Sequence, residues 1–166
     1  SNNASITDAY KSGGGISVIS NTFGLGNIID SNYDNYATFY GFLSLIDFEP
    51  IAAIKLGTPI TTNTETRVGF EVQAVTGLAD VSAISTYQVK IYNNGSEVAS
   101  SSDGNAVNVG VLNFDNSRVR LSINISSGVT FDHIELWRKG VAEVLETQKI
   151  YNVFYESTQC VEEGPN

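Results

Sequence analysis

Apolar and polar residues alternate with a period of two along most of this chain, the signature of half-buried β-strands. The clearest run is Arg118 to Ile125. Val119, Leu121, Ile123 and Ile125 share one face, and Arg118, Arg120, Ser122 and Asn124 share the other. Val68, Phe70, Val72 and Ala74 alternate in the same way with Arg67, Gly69, Glu71 and Gln73. Tyr87, Val89 and Ile91 alternate with Gln88, Lys90 and Tyr92 and run into Asn94-Gly95. That dipeptide predicts a two-residue type I′ turn, because both central residues need positive φ. Glu97 to Ser101 is the expected return strand.

Ile16–Ile19, Tyr36–Ile46, Ala52–Leu56, Val107–Phe114, Phe131–Arg138 and Lys149–Glu156 complete the predicted strands. Gly13-Gly14-Gly15, Pro50, Gly57-Thr58-Pro59, Asp103-Gly104-Asn105, Asp115-Asn116-Ser117 and Ser126-Ser127-Gly128 punctuate them. Residues 75–85 and 141–148 read as loops or short helical turns, since neither sustains a 3.6-residue period. About nine or ten short strands at regular spacing predict an all-β fold, a two-sheet antiparallel sandwich of jelly-roll type. A single domain is expected over 13–160, with tails at 1–12 and 161–166.

Composition narrows the function classes. The chain has 166 residues, 42% of them hydrophobic, enough for a substantial core. Only 16% are charged, so Ser, Thr, Asn and Gly must build much of the polar surface. The net charge of −9 and the lack of any basic run argue against nucleic acid or an anionic membrane as partner. No stretch approaches the roughly 20 apolar residues that span a bilayer, so membrane insertion is not expected. A chain without Met that opens Ser1-Asn2-Asn3 reads as a processed or recombinant fragment. Its one cysteine, Cys160, cannot form an internal disulfide; it is a tail thiol or a bridge to another chain.

Asp30, Asn32 and Asp34 present side-chain oxygens at every second position, as compact Ca²⁺ loops do. An EF-hand is rejected, because Asn35 stands where Gly is required and Gly41 where a bidentate Glu is required. The run Asn27-Ile28-Ile29-Asp30-Ser31-Asn32-Tyr33-Asp34-Asn35-Tyr36-Ala37-Thr38 resembles the Asp/Asn loop of discoidin-like, galactose-binding-type jelly rolls. More broadly the chain resembles bacterial cell-surface β-sandwich modules, which pair such a loop with a Tyr-rich closing strand like Lys149–Tyr155. The resemblance implies a secreted or surface location and a structural Ca²⁺ held by Asp30, Asn32 and Asp34. The family's usual Gly after the first Asp is Ser31 here, and its usual Trp is Tyr36. The other reading of the loop is a plain Asx turn, in which these side chains accept from nearby backbone amides.

Glycan binding uses aromatic faces, so the aromatic residues are the next candidates. Tyr36, Phe39, Tyr40 and Phe42 crowd one predicted strand with two apolar faces, which points to core burial. If Ile134 and Leu136 face the core, then His133, Glu135 and Trp137 project from the opposite face. Trp137 beside an acid and an imidazole forms a candidate ligand platform, unless the segment after Gly140 covers it. His133 is the only histidine, so a multi-histidine metal site is impossible. It reads equally as an ordinary sheet-surface histidine. No Gly-x-Ser-x-Gly segment and no phosphate-cradling loop is present. Glu71, Glu135, Glu143 and Glu146 are the acids from which a glycosidase pair would be drawn, but eighteen acids in any sandwich offer such pairs.

The expectation is a noncatalytic extracellular adhesion or carbohydrate-binding module of a bacterial surface protein. Its partner would be a glycan or a host or cell-surface protein. The alternatives are a spacer or assembly subunit with no small-molecule site and, second, a carbohydrate-active hydrolase.

Overall fold

The computed structural model describes residues 15–16, 21–30, 32–73, 85–101, 107–113, 118–140 and 146–158. Eleven strands occur among them: β1 (Gly15–Ile16), β2 (Thr22–Phe23), β3 (Ala37–Gly41), β4 (Glu49–Thr61), β5 (Thr66–Gln73), β6 (Tyr87–Asn93), β7 (Ser96–Ser100), β8 (Asn108–Asn113), β9 (Arg118–Ile125), β10 (Thr130–Arg138) and β11 (Glu146–Ser157). A 3₁₀ turn spans Leu25–Ile28. No helix among the described residues is long and apolar enough to cross a membrane.

The strands form two antiparallel sheets. One has five strands in the order β1-β4-β10-β6-β7, the other six in the order β2-β3-β11-β5-β9-β8. Three pairs nest along the chain and alternate between the sheets: β3 with β11, β4 with β10, β5 with β9. A two-stranded ribbon wrapped in this way around one interior is the jelly-roll arrangement expected from the sequence.

The alternation of side chains does the work of closing it. Val68, Phe70 and Val72 of β5 and Val119, Leu121 and Ile123 of β9 meet Val89 and Ile91 of β6 and Ile134 and Leu136 of β10 in a single apolar cluster. Each such side chain, fully buried, contributes on the order of 2 kcal/mol. The Asn94-Gly95 turn forms as predicted, with φ of 51° and 81°, and joins β6 to β7 through the pair Asn93–Ser96.

Three expectations change. The strand predicted over Tyr36–Ile46 is confined to β3, and its aromatics are not all core. Phe39 is buried, but Tyr40 is 51% and Phe42 70% exposed, because β3 has one face to the core and the chain leaves the sheet after Gly41. The predicted turn at Gly57-Thr58-Pro59 lies inside β4. The β4–β10 ladder breaks between Phe131–Ile60 and His133–Lys55, so Pro59 sits in an irregularity where no amide donor is needed. The stretch 141–148 enters β11 from Glu146 onward. Residues 75–84 and 141–145, the tails and Cys160 lie outside the described residues.

Candidate ligand-binding face

Strand β10 carries the site. Ile134 and Leu136 are buried, whereas His133, Glu135 and Trp137 alternate with them on the outer face of the five-stranded sheet; Phe131, also buried, precedes a register shift that reverses the alternation. The three predicted residues converge on one carboxylate. Trp137 donates from its indole Nε1 to Glu135 Oε1 at 2.9 Å, and His133 Nε2 lies 2.8 Å from Glu135 Oε2. Side chains two residues apart on a strand share a face, and these three rows of one strand account for the contacts.

The neighbouring strand completes the site. β6 sets Tyr92 opposite His133, Lys90 opposite Glu135 and Gln88 opposite Trp137. Tyr92 meets the His133 ring edge-on, with centroids 5.5 Å apart. The Lys90 ammonium sits 3.8 Å from the centroid of the Trp137 ring. A cation in that position covers one ring face and is held by the ring's quadrupole. On the other side β4 places Lys55 opposite His133. The Asn94 backbone amide donates to Asp132 Oδ1 at 3.1 Å, which ties the β6–β7 turn to β10.

These groups bound an open depression of about 540 Å³, lined by Lys55, Tyr92, Asn94, Asp132, His133 and Glu135. Trp137 lies beside it rather than in its lining. The electrostatics are set by Glu135. Burial works to raise its pKa, but the hydrogen bonds from His133 and Trp137, the charge of His133 and a contact with Tyr92 outweigh that and hold the carboxyl below its ordinary range. Tyr92 moves the other way. Burial, then the Glu135 charge and hydrogen bond, then the Glu97 charge push its phenol up to about 12. The depression therefore presents a carboxylate, a neutral phenol, an imidazole and an ammonium within one open surface.

Lys55, Tyr92, Asn94, Asp132 and the capping Lys90 were not legible as site residues in the sequence. The outward parity of Lys55, Lys90 and Tyr92 was readable, but only the pairing of β10 with β6 and β4 puts them beside Glu135, and Asp132 is turned to the site by the register shift between Phe131 and His133.

The Asp30 loop is built differently and lies apart from this depression. Asp30 Oδ1 accepts from the Asn32 amide at 2.9 Å, and Asn32 Oδ1 accepts from the Asp34 amide at 3.0 Å, two Asx turns in succession. Asn35 donates to the other Asp30 oxygen, and Asn27 Nδ2 caps the Tyr36 carbonyl at 2.8 Å. Arg118 reaches the loop from β9, within 3.7 Å of Asp34 Oδ1. Among the described residues no group of three or more His, Cys, Asp or Glu side chains is placed to hold a metal ion.

Glu71, a carboxylate the sequence offered for a hydrolytic pair, is buried on the outer face of the six-stranded sheet. It is bound by Arg118 at 3.2 Å, Arg120 at 2.9 Å and Asn152 at 2.9 Å. Glu135 is on the outer face of the opposite sheet, so these two acids cannot flank one bond. Comparison with protein-family models, with curated proteins and with solved structures finds no match, so the likeness to galactose-binding-type jelly rolls rests on the loop and strand motifs alone.

Proposed function

We propose that this domain is a noncatalytic extracellular adhesion or carbohydrate-binding module, with the depression on the outer face of the five-stranded sheet as its glycan site. The observation that carries the reading is the Glu135 carboxylate, held ionised and oriented by Trp137 and His133 at the side of an open polar depression. Sugar hydroxyls donate to such a carboxylate and accept from ammonium and carboxamide groups, which Lys55 and Asn94 supply at the rim. The Tyr92 and His133 rings offer apolar surface to the sugar's C–H groups. Trp137 acts through Glu135, since Lys90 occupies one of its faces.

The chemistry of Glu135 favours binding over hydrolysis. A glycosidase general acid has a raised pKa, and that of Glu135 is lowered. The acidic chain favours glycan or protein partners over nucleic acid. An assembly or spacer role draws its support from the apolar side chains exposed at Phe23, Tyr40, Phe42 and Ile46. It predicts self-association in sedimentation.

A glycan array with the native domain and with Glu135→Ala, Lys55→Ala and Trp137→Ala tests the proposal. The expected result is a defined set of bound glycans, lost in Glu135→Ala and weakened in the other two. Full retention of binding by Glu135→Ala sinks the assignment.

A further inference from the structure

The six-stranded sheet has an apolar margin at its β2–β3 end, away from the Glu135 depression. Thr22 turns inward, where its hydroxyl donates to the Ile51 carbonyl of the other sheet at 2.8 Å, so Phe23 faces out and is 66% exposed. Phe23 pairs with Thr38, and the Tyr40 amide donates to the Asn21 carbonyl at 2.8 Å, which sets Phe23 and Tyr40 diagonally across β2 and β3 on one face. Phe42 has the same outward parity two residues further on, between the buried Gly41 and Leu43. On the other side of β3, Thr147 of β11 stands opposite Tyr40.

The turn after Phe42 adds Leu45 and Ile46, the latter 83% exposed. That turn is fixed in place. The Ser44 hydroxyl accepts from the Ile46 and Asp47 amides at 3.1 and 3.0 Å, and the Ser44 carbonyl accepts from the Gly140 amide at 2.7 Å. A whole Phe or Tyr side chain presents about 200 Å² and Leu or Ile somewhat less, so Phe23, Tyr40, Phe42, Leu45 and Ile46 leave on the order of 600 Å² of largely apolar surface open. That is the upper end of what a monomer exposes in one patch, about 300–600 Å². A stable interface takes about 800 Å² from each partner, a little over half of it apolar. The margin therefore supplies the apolar share of a full interface.

Charge selects the partner. With a net charge of −9, two copies of the chain repel wherever acids face acids. Phe23, Thr38, Tyr40, Phe42 and Thr147 carry no charge, and the bordering Lys149 is turned onto Tyr36, 4.6 Å from the ring centroid. Such a surface offers a basic partner no acid to pair with, whereas an uncharged sheet margin fits its own copy across a two-fold axis. We infer that this margin is the isologous interface of a homodimer, in which Phe23, Tyr40 and Phe42 of one copy pack on the same three residues of the other. The inference rests on the assembly role named above and gives it a partner. It is compatible with glycan binding, because Glu135 lies on the outer face of the other sheet and the dimer leaves both depressions open.

Sedimentation equilibrium of the native domain, Phe42→Asp and Phe23→Asp, from about 1 µM to 1 mM, tests it. The native domain is expected to reach a dimer and stop there. Each variant should weaken that dimer about tenfold or more. Added salt should strengthen the native dimer, because it screens the net charge that opposes it. Both substitutions fall on exposed side chains, and thermal melts matching the native domain show that the variants fold; the second variant stands in if the first does not. A native domain that stays monomeric throughout overturns the inference and the assembly role together. A dimer that the folded variants leave intact, or that added salt dissolves, overturns this interface and leaves the assembly role standing. Growth past the dimer overturns the two-fold arrangement.

Discussion

Arg118 donates from Nη2 to the backbone carbonyl of Tyr33 at 2.6 Å, joining β9 to the Asp30 loop across 85 positions of chain. The same guanidinium binds Glu71 at 3.2 Å and lies 3.9 Å from the centroid of the Tyr151 ring. A planar cation can satisfy a carbonyl, a carboxylate and a ring face together, which an ammonium cannot. Removing it strands the buried Glu71 charge with fewer partners and frees the loop. Arg118→Met is expected to cost about 3 kcal/mol, measured by denaturant unfolding. It should also speed amide exchange at Asn32 and Asp34. Unchanged exchange at those amides would show that the arginine does not hold the loop.

The Asp30 loop also carries the calcium question. A Ca²⁺ ion there would compete for the oxygens that now accept from the Asn32 and Asp34 amides. The expected outcome is that thermal melts in excess Ca²⁺ and in EDTA coincide. A ligand bound only by the folded state at a hundred times its Kd would add about 2.7 kcal/mol. A clear upward shift of Tm in Ca²⁺, lost in Asp30→Ala, would assign the loop to the ion instead.

Tyr92 and Glu135 make opposite contributions to pH dependence. The Tyr92 phenol is raised from 10.0 to about 12 in the fold, so its contribution to stability is complete below pH 10 and is lost as pH climbs toward 12. Glu135 is lowered from 4.5, so its contribution is present above that value and is lost as pH falls through the depressed pKa. Tyrosinate absorbance should show a component titrating near 12 that disappears in Tyr92→Phe and moves back toward 10 in Glu135→Gln. A Tyr92 signal that ignores Glu135→Gln would separate the two groups.

Gly69 is a position where the sandwich has no room for a side chain. A Cβ there would lie 1.8 Å from the Leu121 carbonyl oxygen, an atom of the backbone that cannot swing away. Gly69→Ala is therefore expected to lose about 3 kcal/mol, a fall in Tm of roughly 6–12 °C for a chain of this size. Calorimetry gives the answer directly, and a variant melting with the native protein would mean that β5 and β9 can part without penalty.

The period-two pattern was sufficient for the architecture and for the facing of individual side chains. His133, Glu135 and Trp137 do share the outer face of β10, and Asn94-Gly95 does turn the chain, because both are consequences of local backbone geometry. Parity even places Arg138 inward with Ile134 and Leu136. The structure buries it completely beside the Tyr87 ring, where residue type alone would have sent it to solvent.

Sequence could not decide which strands are neighbours. Pairing joins residues far apart in the chain, and many registers satisfy the same alternation, so only the closed fold sets Tyr92 and Lys90 beside Glu135 and Arg118 beside Tyr33. The covering of Trp137 by Lys90 and the burial of Glu71 under two arginines follow from the same cause. A side chain's exposure depends on what the adjacent strand brings, and that is a property of the tertiary structure.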